Sequence, residues 1–331
     1  MKGKKTEFSN NHITVFSPFF SPFQVYVTKL LQTMSPSNPE HGNSTMHTSV
    51  SPNLPSSISL IVINFLLSLF GILGNLLVLL VTSLNIRLAT PSNLLLANLA
   101  SVDFVCMAFI TPSSIYKQLC RTLGFCHLSE ITNLAFRGLS QFVVAAAVSS
   151  LFVIAVDRFL AISFPFKYAS MMTKRRTVYC ICLTWLAGGV ITFVFMGLNF
   201  VYIQSGYCTL LILVTISLYI HIFLSALKKE KQIAALQVTN VTRTTNFLHE
   251  RKSTKTMAII LGVFAASWVP AVVFYAVVSP EDPRFPHIQS WINAIYYLNA
   301  TLNPFIYCFR SVNFRKRVKK LVKSSIIRFS P

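Results

Sequence analysis

The residues of this chain that could do chemistry sit where charge is expensive. Asp103 interrupts an apolar run at Leu99-Ala100-Ser101-Val102-Asp103. Asp157-Arg158 closes another apolar run, and Arg137 lies inside that same run, 21 residues before Arg158. An ionisable group at the centre of a hydrocarbon layer costs about 2.5–3.5 kcal/mol or more, so each of these needs a partner or a role. Asn75, Asn299 and Asn303 are neutral polar residues placed in the same way. These spacings do not resemble enzyme chemistry. The chain has no nucleophile–base pair in catalytic spacing and no glycine loop of the kind that cradles phosphate. Its seven cysteines show no zinc-finger spacing with histidines, so no metal centre is predicted.

The elements that must position these residues follow from composition. Of 331 residues 53% are hydrophobic and 11% are charged. Soluble domains carry roughly 25% charged residues, so this apolar surface must face lipid. A net charge of +20 could suggest nucleic acid. The charges fall in short blocks between long apolar runs, however, so no nucleic-acid partner is expected. A membrane-spanning helix needs roughly 20 apolar residues. Seven segments qualify: Ser57 to Thr82, Pro91 to Tyr116, Leu128 to Leu160, Val178 to Asn199, Tyr207 to Ala226, Met257 to Val278 and Ile288 to Phe309. Backbone groups in lipid must be bonded internally, which predicts helices. The fold class is therefore all-α, an integral membrane bundle of seven transmembrane helices. A short basic amphipathic helix follows the seventh span, with Phe314, Val318, Leu321 and Val322 on its apolar side. Such a helix suits an anionic lipid surface.

Lys and Arg concentrate in one set of loops and in the tail after the seventh span. That set belongs in the cytoplasm, which places the N-terminus outside. Residues 1–56 form an extracellular tail rich in Ser, Pro and Asn, 57–310 the spanning domain, and 311–331 the cytoplasmic helix and tail. Asn43-Ser44-Thr45 is a glycosylation sequon in the outer tail. Lys2, Lys4 and Lys5 before Val15 to Leu31 make a weak signal-peptide pattern, and Met34 is an alternative start.

The polar residues inside the spans carry a resemblance. In order they are Gly74-Asn75, Asp103, Asp157-Arg158-Phe159, Trp185, Phe264 with Ser267-Trp268-Val269-Pro270, and Asn303-Pro304-Phe305-Ile306-Tyr307. Together they resemble the rhodopsin-like G-protein-coupled receptors, from Ser57 to Lys323. The resemblance implies a plasma-membrane receptor that turns an extracellular ligand into activation of a heterotrimeric G protein. It implies a switch in which the sixth helix swings out at Pro270 and Arg158 meets the G protein, with Tyr219 and Tyr307 packing inward. Glu250 lies 18 residues before Trp268. At 3.6 residues per turn that is about five turns, the membrane depth of Arg158. Glu250 is then the resting partner of Arg158, or else a solvated acid in a basic loop. Pro165 and Phe166 match the family's second inner loop. Phe166 is there a knob for the G protein, or a membrane-facing side chain. Asp103, Asn299 and Asn303, with Asn75, resemble the family's sodium pocket. Ala147 and Ala300 replace its usual hydroxyls, so a sodium ion and a water-holding polar core are both open. Tyr297 occupies the place of the retinal lysine in opsins, so no retinal is expected and no other cofactor.

The chain also departs from the family. Asn133 stands where the third-helix disulfide cysteine belongs. Trp185 and Tyr219 are only 34 residues apart, which leaves almost no second outer loop. Leu211 replaces the fifth-helix proline. These features resemble the melanocortin, cannabinoid and adenosine-like branch. The acids by which melanocortin receptors hold a basic peptide are replaced by Ser113, Asn133 and Arg137. The candidate ligand-lining residues are Arg137, Ser140, Gln141, Trp268, Tyr275 and Tyr297. Arg137 either favours a carboxylate or phosphate ligand or snorkels to the headgroups. The ligand classes left open are an acidic small molecule, a lipid and a peptide. Two other functions compete: a non-signalling decoy of the same fold, and a transporter. A transporter predicts paired Gly/Pro-interrupted spans, which the sequence lacks.

Overall fold

In the computed structural model of the chain, the described residues are 54–84, 90–124, 129–197, 201–235, 263, 266–271, 273–274, 277–278, 282–310 and 314–320. Among them every regular element is a helix. Helix α1 is Leu54–Ser83, α2 is Pro91–Leu123, α3 is Glu130–Ser163, α4 is Pro165–Met171, α5 is Lys174–Gly197, α6 is Val201–Ala235 and α7 is Phe285–Arg310. The described residues between 263 and 277 are helical, and residues 314–320 form a last short helix, α8. Leu321 and Val322 lie outside the described residues.

Sequence chemistry sets the helix ends. Thr90 caps α2, its Oγ1 accepting the Asn93 amide, and Pro91 supplies a fixed φ at the first helical position. Ser129 caps α3 by accepting the Thr132 amide at 3.2 Å, and Glu130 complements the helix dipole there. Gly124 ends α2 at φ 72, a left-handed conformation that suits glycine. Within α2, Cys106–Ile110 is a single π turn, closed by the Thr111 amide donating to the Cys106 carbonyl. Pro112 is the cause: it has no N–H to continue the α ladder, and its ring crowds the preceding turn.

Helix α3 runs through the middle of the bundle and packs on α2, α5 and α6, while α1 packs on α2 and α7. Two glycines let backbones approach. A Cβ on Gly188 of α5 would lie 3.4 Å from the Ala146 nitrogen of α3. One on Gly74 of α1 would lie 3.0 Å from Pro304 of α7. The core is built from Leu95, Leu99, Val148, Leu151, Ile212 and Trp268, with a second cluster around Val102, Met107, Val143, Ala147 and Tyr297. Leu, Val and Phe side chains cover the outside, Phe65, Phe70, Leu186 and Phe193 among them. That is the inverse of a soluble surface and suits lipid. In α8, Phe314 is buried and Val318 half-buried against Val78, Val81 and Ala100, as an amphipathic helix requires. Helices α5 and α6 leave only residues 198–200 between them, in keeping with the near loss of the second outer loop.

The helices overrun the apolar segments. Helix α6 extends to Val201–Ala235 where the apolar run spans Tyr207 to Ala226, and α3 reaches Ser163. Hydropathy marks the lipid slab alone, whereas helical backbone continues wherever hydrogen bonding and capping permit.

Candidate functional site

Three clusters of polar side chains divide the bundle along its length. The first is at the α3 C-terminus. Asp157 is buried, with 1% side-chain exposure, and Arg158 is half-buried. The Asp157 carboxylate accepts from the Tyr168 hydroxyl at 2.7 Å, the Ser92 hydroxyl at 3.1 Å and the Arg158 Nε at 2.9 Å. The Arg158 guanidinium also closes on Asp157 and on Ser92 Oγ through Nη2. Three elements supply this cluster: α2 gives Ser92, α3 the charged pair, and α4 Tyr168. Partial burial pushes the Tyr168 phenol above its usual range, so it remains a protonated donor at neutral pH. Pro165 starts α4, and Phe166 on its first turn is fully exposed. Tyr219 is buried one layer away, against Ala155 and Ile222.

The second cluster is at mid-bundle. Asn303 on α7 donates through Nδ2 to the Asp103 carboxylate on α2 at 2.7 Å, and both are buried. Asn299 is buried one turn earlier on α7. Asn75, expected in the same polar network, is buried on α1. Its Nδ2 donates to the Gly71 and Ala300 carbonyls at 3.0 and 3.2 Å. It thereby ties α1 to α7 at a point where Gly74 and Pro304 let the two backbones approach. Ala147 and Ala300 pack with Cys106 and Met107, so carbon and sulfur stand where the sodium pocket would need hydroxyl oxygens.

The third cluster is in the half of the bundle farthest from Arg158. Trp268 is buried, edge-on to Tyr296 with ring centroids 5.4 Å apart. The Tyr297 hydroxyl lies 2.7 Å from Ser114 Oγ, joining α7 to α2. Ser140 spends its hydroxyl on the Phe136 carbonyl of its own helix at 2.7 Å. Arg137, Gln141 and Pro270 are half-buried. Beyond them Ser56 and Ser57, Gln118, and His287, Ser290 and Trp291 lace α1, α2 and α7 together. At the rim, exposed Arg284 hydrogen-bonds Asp282 and holds its carboxyl below the usual range. Asn43, Glu250, Phe264, Tyr275 and the Tyr307 side chain lie outside the described residues, so the pairing of Glu250 with Arg158 is not described.

Sequence reasoning missed Ser92 and Tyr168 as partners of Asp157, and it missed Asn98. Asn98 is buried, donates to Ser150 Oγ at 2.8 Å and accepts from Trp185 Nε1 at 2.7 Å. One amide thus links α2, α3 and α5. The criterion that found Asp103, a polar residue inside an apolar run, applies to Asn98 as well. Ser92 and Tyr168 gave no such signal, because Ser92 stands at the very start of its span and Tyr168 lies between two spans. Cys106, Cys120, Cys180, Cys182 and Cys208 are free thiols.

Comparison with known proteins bears on the same residues. The profile described as 7 transmembrane receptor (rhodopsin family) matches residues 74–210 and 197–307. Adenosine receptor A2a of Equus caballus is 26% identical over 313 residues, covering 82% of this chain and 74% of the receptor. Adenosine receptor A2b of Mus musculus is 25% identical, covering 81% and 90%. Histamine H2 receptor of Rattus norvegicus is 24% identical, covering 84% and 83%.

Proposed function

The chain belongs to the rhodopsin family of seven-transmembrane receptors, and we infer from that membership how its polar clusters divide the work of signalling. It is a ligand-binding signalling receptor of the membrane, of a family in which coupling to G proteins is typical. In our reading the Arg158 end faces the cytoplasm, the N-terminus is extracellular, and the membrane is the plasma membrane. The excess of Lys and Arg in the loops and tail at that end supports this orientation.

The observation that carries the mechanism is the satisfied state of Arg158. Its guanidinium is folded onto Asp157 and Ser92, and Asp157 is held in turn by Tyr168. This is a resting arrangement, because a G protein needs Arg158 to face outward. Activation exchanges these partners for the G protein as the sixth span swings out at Pro270, with Glu250 as a further resting partner. Phe264, Trp268, Asn303, Pro304, Tyr219 and Tyr307 relay the change. Asp103–Asn303 pins α2 to α7, so the relay is a two-state repacking rather than a continuous bend. Pro165 and exposed Phe166 form the adjoining G-protein contact. Ligand enters the opposite half, lined by Arg137, Ser140, Gln141, Trp268, Tyr275 and Tyr297. Asp103 works as a hydrogen-bonded packing element, since Ala147 and Ala300 leave a poor donor set for sodium.

Basal second-messenger output in cells tests this reading, with wild type compared against Glu250→Ala at matched surface expression. The expected result is a change in basal cyclic AMP or in another G-protein readout. No change in any coupling class would remove the switch from the account.

A further inference from the structure

Helix α6 carries an imidazole on its lipid side. His221 lies within the apolar run Tyr207 to Ala226 and is exposed, as are Ile220 and Leu224 beside it. A polar side chain in that position needs its hydrogen bonds satisfied. A neutral imidazole has one donor and one acceptor nitrogen. Nδ1 lies 3.4 Å from the Ser225 hydroxyl, one turn on. With that hydroxyl donating to Nδ1, the ring proton sits on Nε2, which has no hydrogen-bond partner among the described residues.

The depth of the ring follows from its contacts. It stands edge-on to Phe159, with centroids 5.2 Å apart, and Phe159 directly follows Arg158. His221 is therefore level with the Arg158 end of α3. The apolar run of α6 ends five residues later, about 7.5 Å along the helix. That sets His221 at the boundary between acyl chains and headgroups. Leu210, Val214, Ser217, His221, Leu224 and Lys228 recur in steps of four and three, hence on one face, and all six are exposed. The first part of this stripe is apolar, since Ser217 closes its hydroxyl on the Leu213 carbonyl at 2.9 Å. From Leu210 to His221 it spans 11 residues, about 16.5 Å, close to the ~15 Å hydrocarbon depth of one leaflet. Its last part is polar and cationic. Lys228 is two turns beyond His221, and its Cα–Cβ bond tilts back towards the helix N-terminus. Asp157, the described acid at this end, is already engaged by Tyr168, Ser92 and Arg158.

We propose that this face of α6 binds one anionic phospholipid, its phosphate held by the His221 Nε2–H and by Lys228, with an acyl chain lying along Val214 and Leu210. The stripe has the length and polarity of such a lipid, and a soluble anion would use only its last two turns. A headgroup carrying choline is disfavoured, because its cation meets Lys228. The lipid backs the His221 ring against Phe159 and so braces α6 on α3 beside Arg158. The binding needs only the membrane reading above; its effect on signalling rests on the switch.

The test is native mass spectrometry of the full chain in detergent micelles, titrated with phosphatidic acid or with phosphatidylcholine of the same acyl chains. The dissociation constant of the first bound lipid is the readout. Phosphatidic acid should bind more tightly than phosphatidylcholine. His221→Leu should weaken phosphatidic acid binding roughly tenfold to a hundredfold, the range for a hydrogen bond to a charged group. His221→Gln keeps an N–H donor and should retain most of the binding. Lys228→Gln should weaken it about fivefold, the value of one cation beside an anionic surface, and carries the test if His221→Leu fails to fold. Lys174→Gln, which removes an exposed cation of α5 at the same end, should leave it unchanged. The proposal is overturned if phosphatidylcholine binds as tightly as phosphatidic acid, or if His221→Leu and Lys228→Gln both bind as wild type. It is also overturned if Lys174→Gln weakens binding as much as they do, because the attraction is then a general one to basic charge. No G protein is present, so failure here leaves the signalling reading standing, and failure of nucleotide exchange leaves this binding standing.

Discussion

Asp157→Asn should raise basal G-protein activity, and the structure gives its size. Asp157 accepts from Tyr168, Ser92 and Arg158. Asparagine keeps the shape: with its oxygen facing Tyr168, its Nδ2 faces Ser92 Oγ, a hydroxyl that can accept as well as donate. What disappears is the ionic part of the contact with Arg158, whose side chain is 13% exposed and therefore weakly screened. Hydrogen bonds to charged groups contribute about 1.5–3 kcal/mol each. At about 1.4 kcal/mol per factor of ten, the resting form loses roughly 10- to 100-fold in its ratio to the active form. Tyr168→Phe removes one neutral hydroxyl bond, worth about 1 kcal/mol, and should raise the ratio only about fivefold. The assay is guanine-nucleotide exchange in membranes with a panel of Gα classes, at surface expression matched to wild type. An unchanged basal rate for Asp157→Asn, with normal expression, would refute the claim that Asp157 restrains Arg158. A rise for Tyr168→Phe larger than that for Asp157→Asn would refute the ranking of charge over neutral bonds.

Three other outcomes follow from the same geometry. Asn98→Ala leaves the Trp185 indole N–H without its acceptor, and thermal denaturation in detergent should show a coupling of about 0.6–1.7 kcal/mol with Trp185→Phe, the range for bonds within membrane bundles. Gly71→Ala puts a Cβ 2.5 Å from Met107 Cγ and should destabilise by about 1–3 kcal/mol. The Gly71→Ala/Met107→Ala double variant should lose less than the sum of the two singles. Phe166→Ala removes a fully exposed side chain, so the melting midpoint should stay constant while nucleotide exchange falls; a fall in midpoint would make Phe166 a packing residue.

Much of this was legible in the sequence because lipid enforces a simple rule. Apolar runs mark spans, and any polar residue inside one must be paired. That rule located Asp103, Asn303, Asp157 and Arg158, and the structure pairs Asp103 with Asn303 and Arg158 with Asp157. It did not name the carbonyls to which Asn75 donates, because an amide can reach backbone carbonyls as readily as side chains. In this bundle the Ala300 carbonyl is close, since Gly74 and Pro304 let α1 and α7 approach. Helix α4 was not legible: seven residues are too few for hydropathy to register, and its role lies in Tyr168 reaching back to α3. The π turn at Cys106–Ile110 was readable only through Pro112, two residues beyond it.

The central claim is that this receptor drives nucleotide exchange through Arg158. The most direct measurement places purified receptor in nanodiscs with heterotrimeric G proteins of each Gα class and compares wild type, Asp157→Asn and Arg158→Ala with empty discs. The account predicts faster exchange than with empty discs for at least one class, further acceleration by Asp157→Asn, and return to the empty-disc rate with Arg158→Ala. It is contradicted if neither wild type nor Asp157→Asn accelerates exchange in any class, or if Arg158→Ala exchanges as fast as wild type.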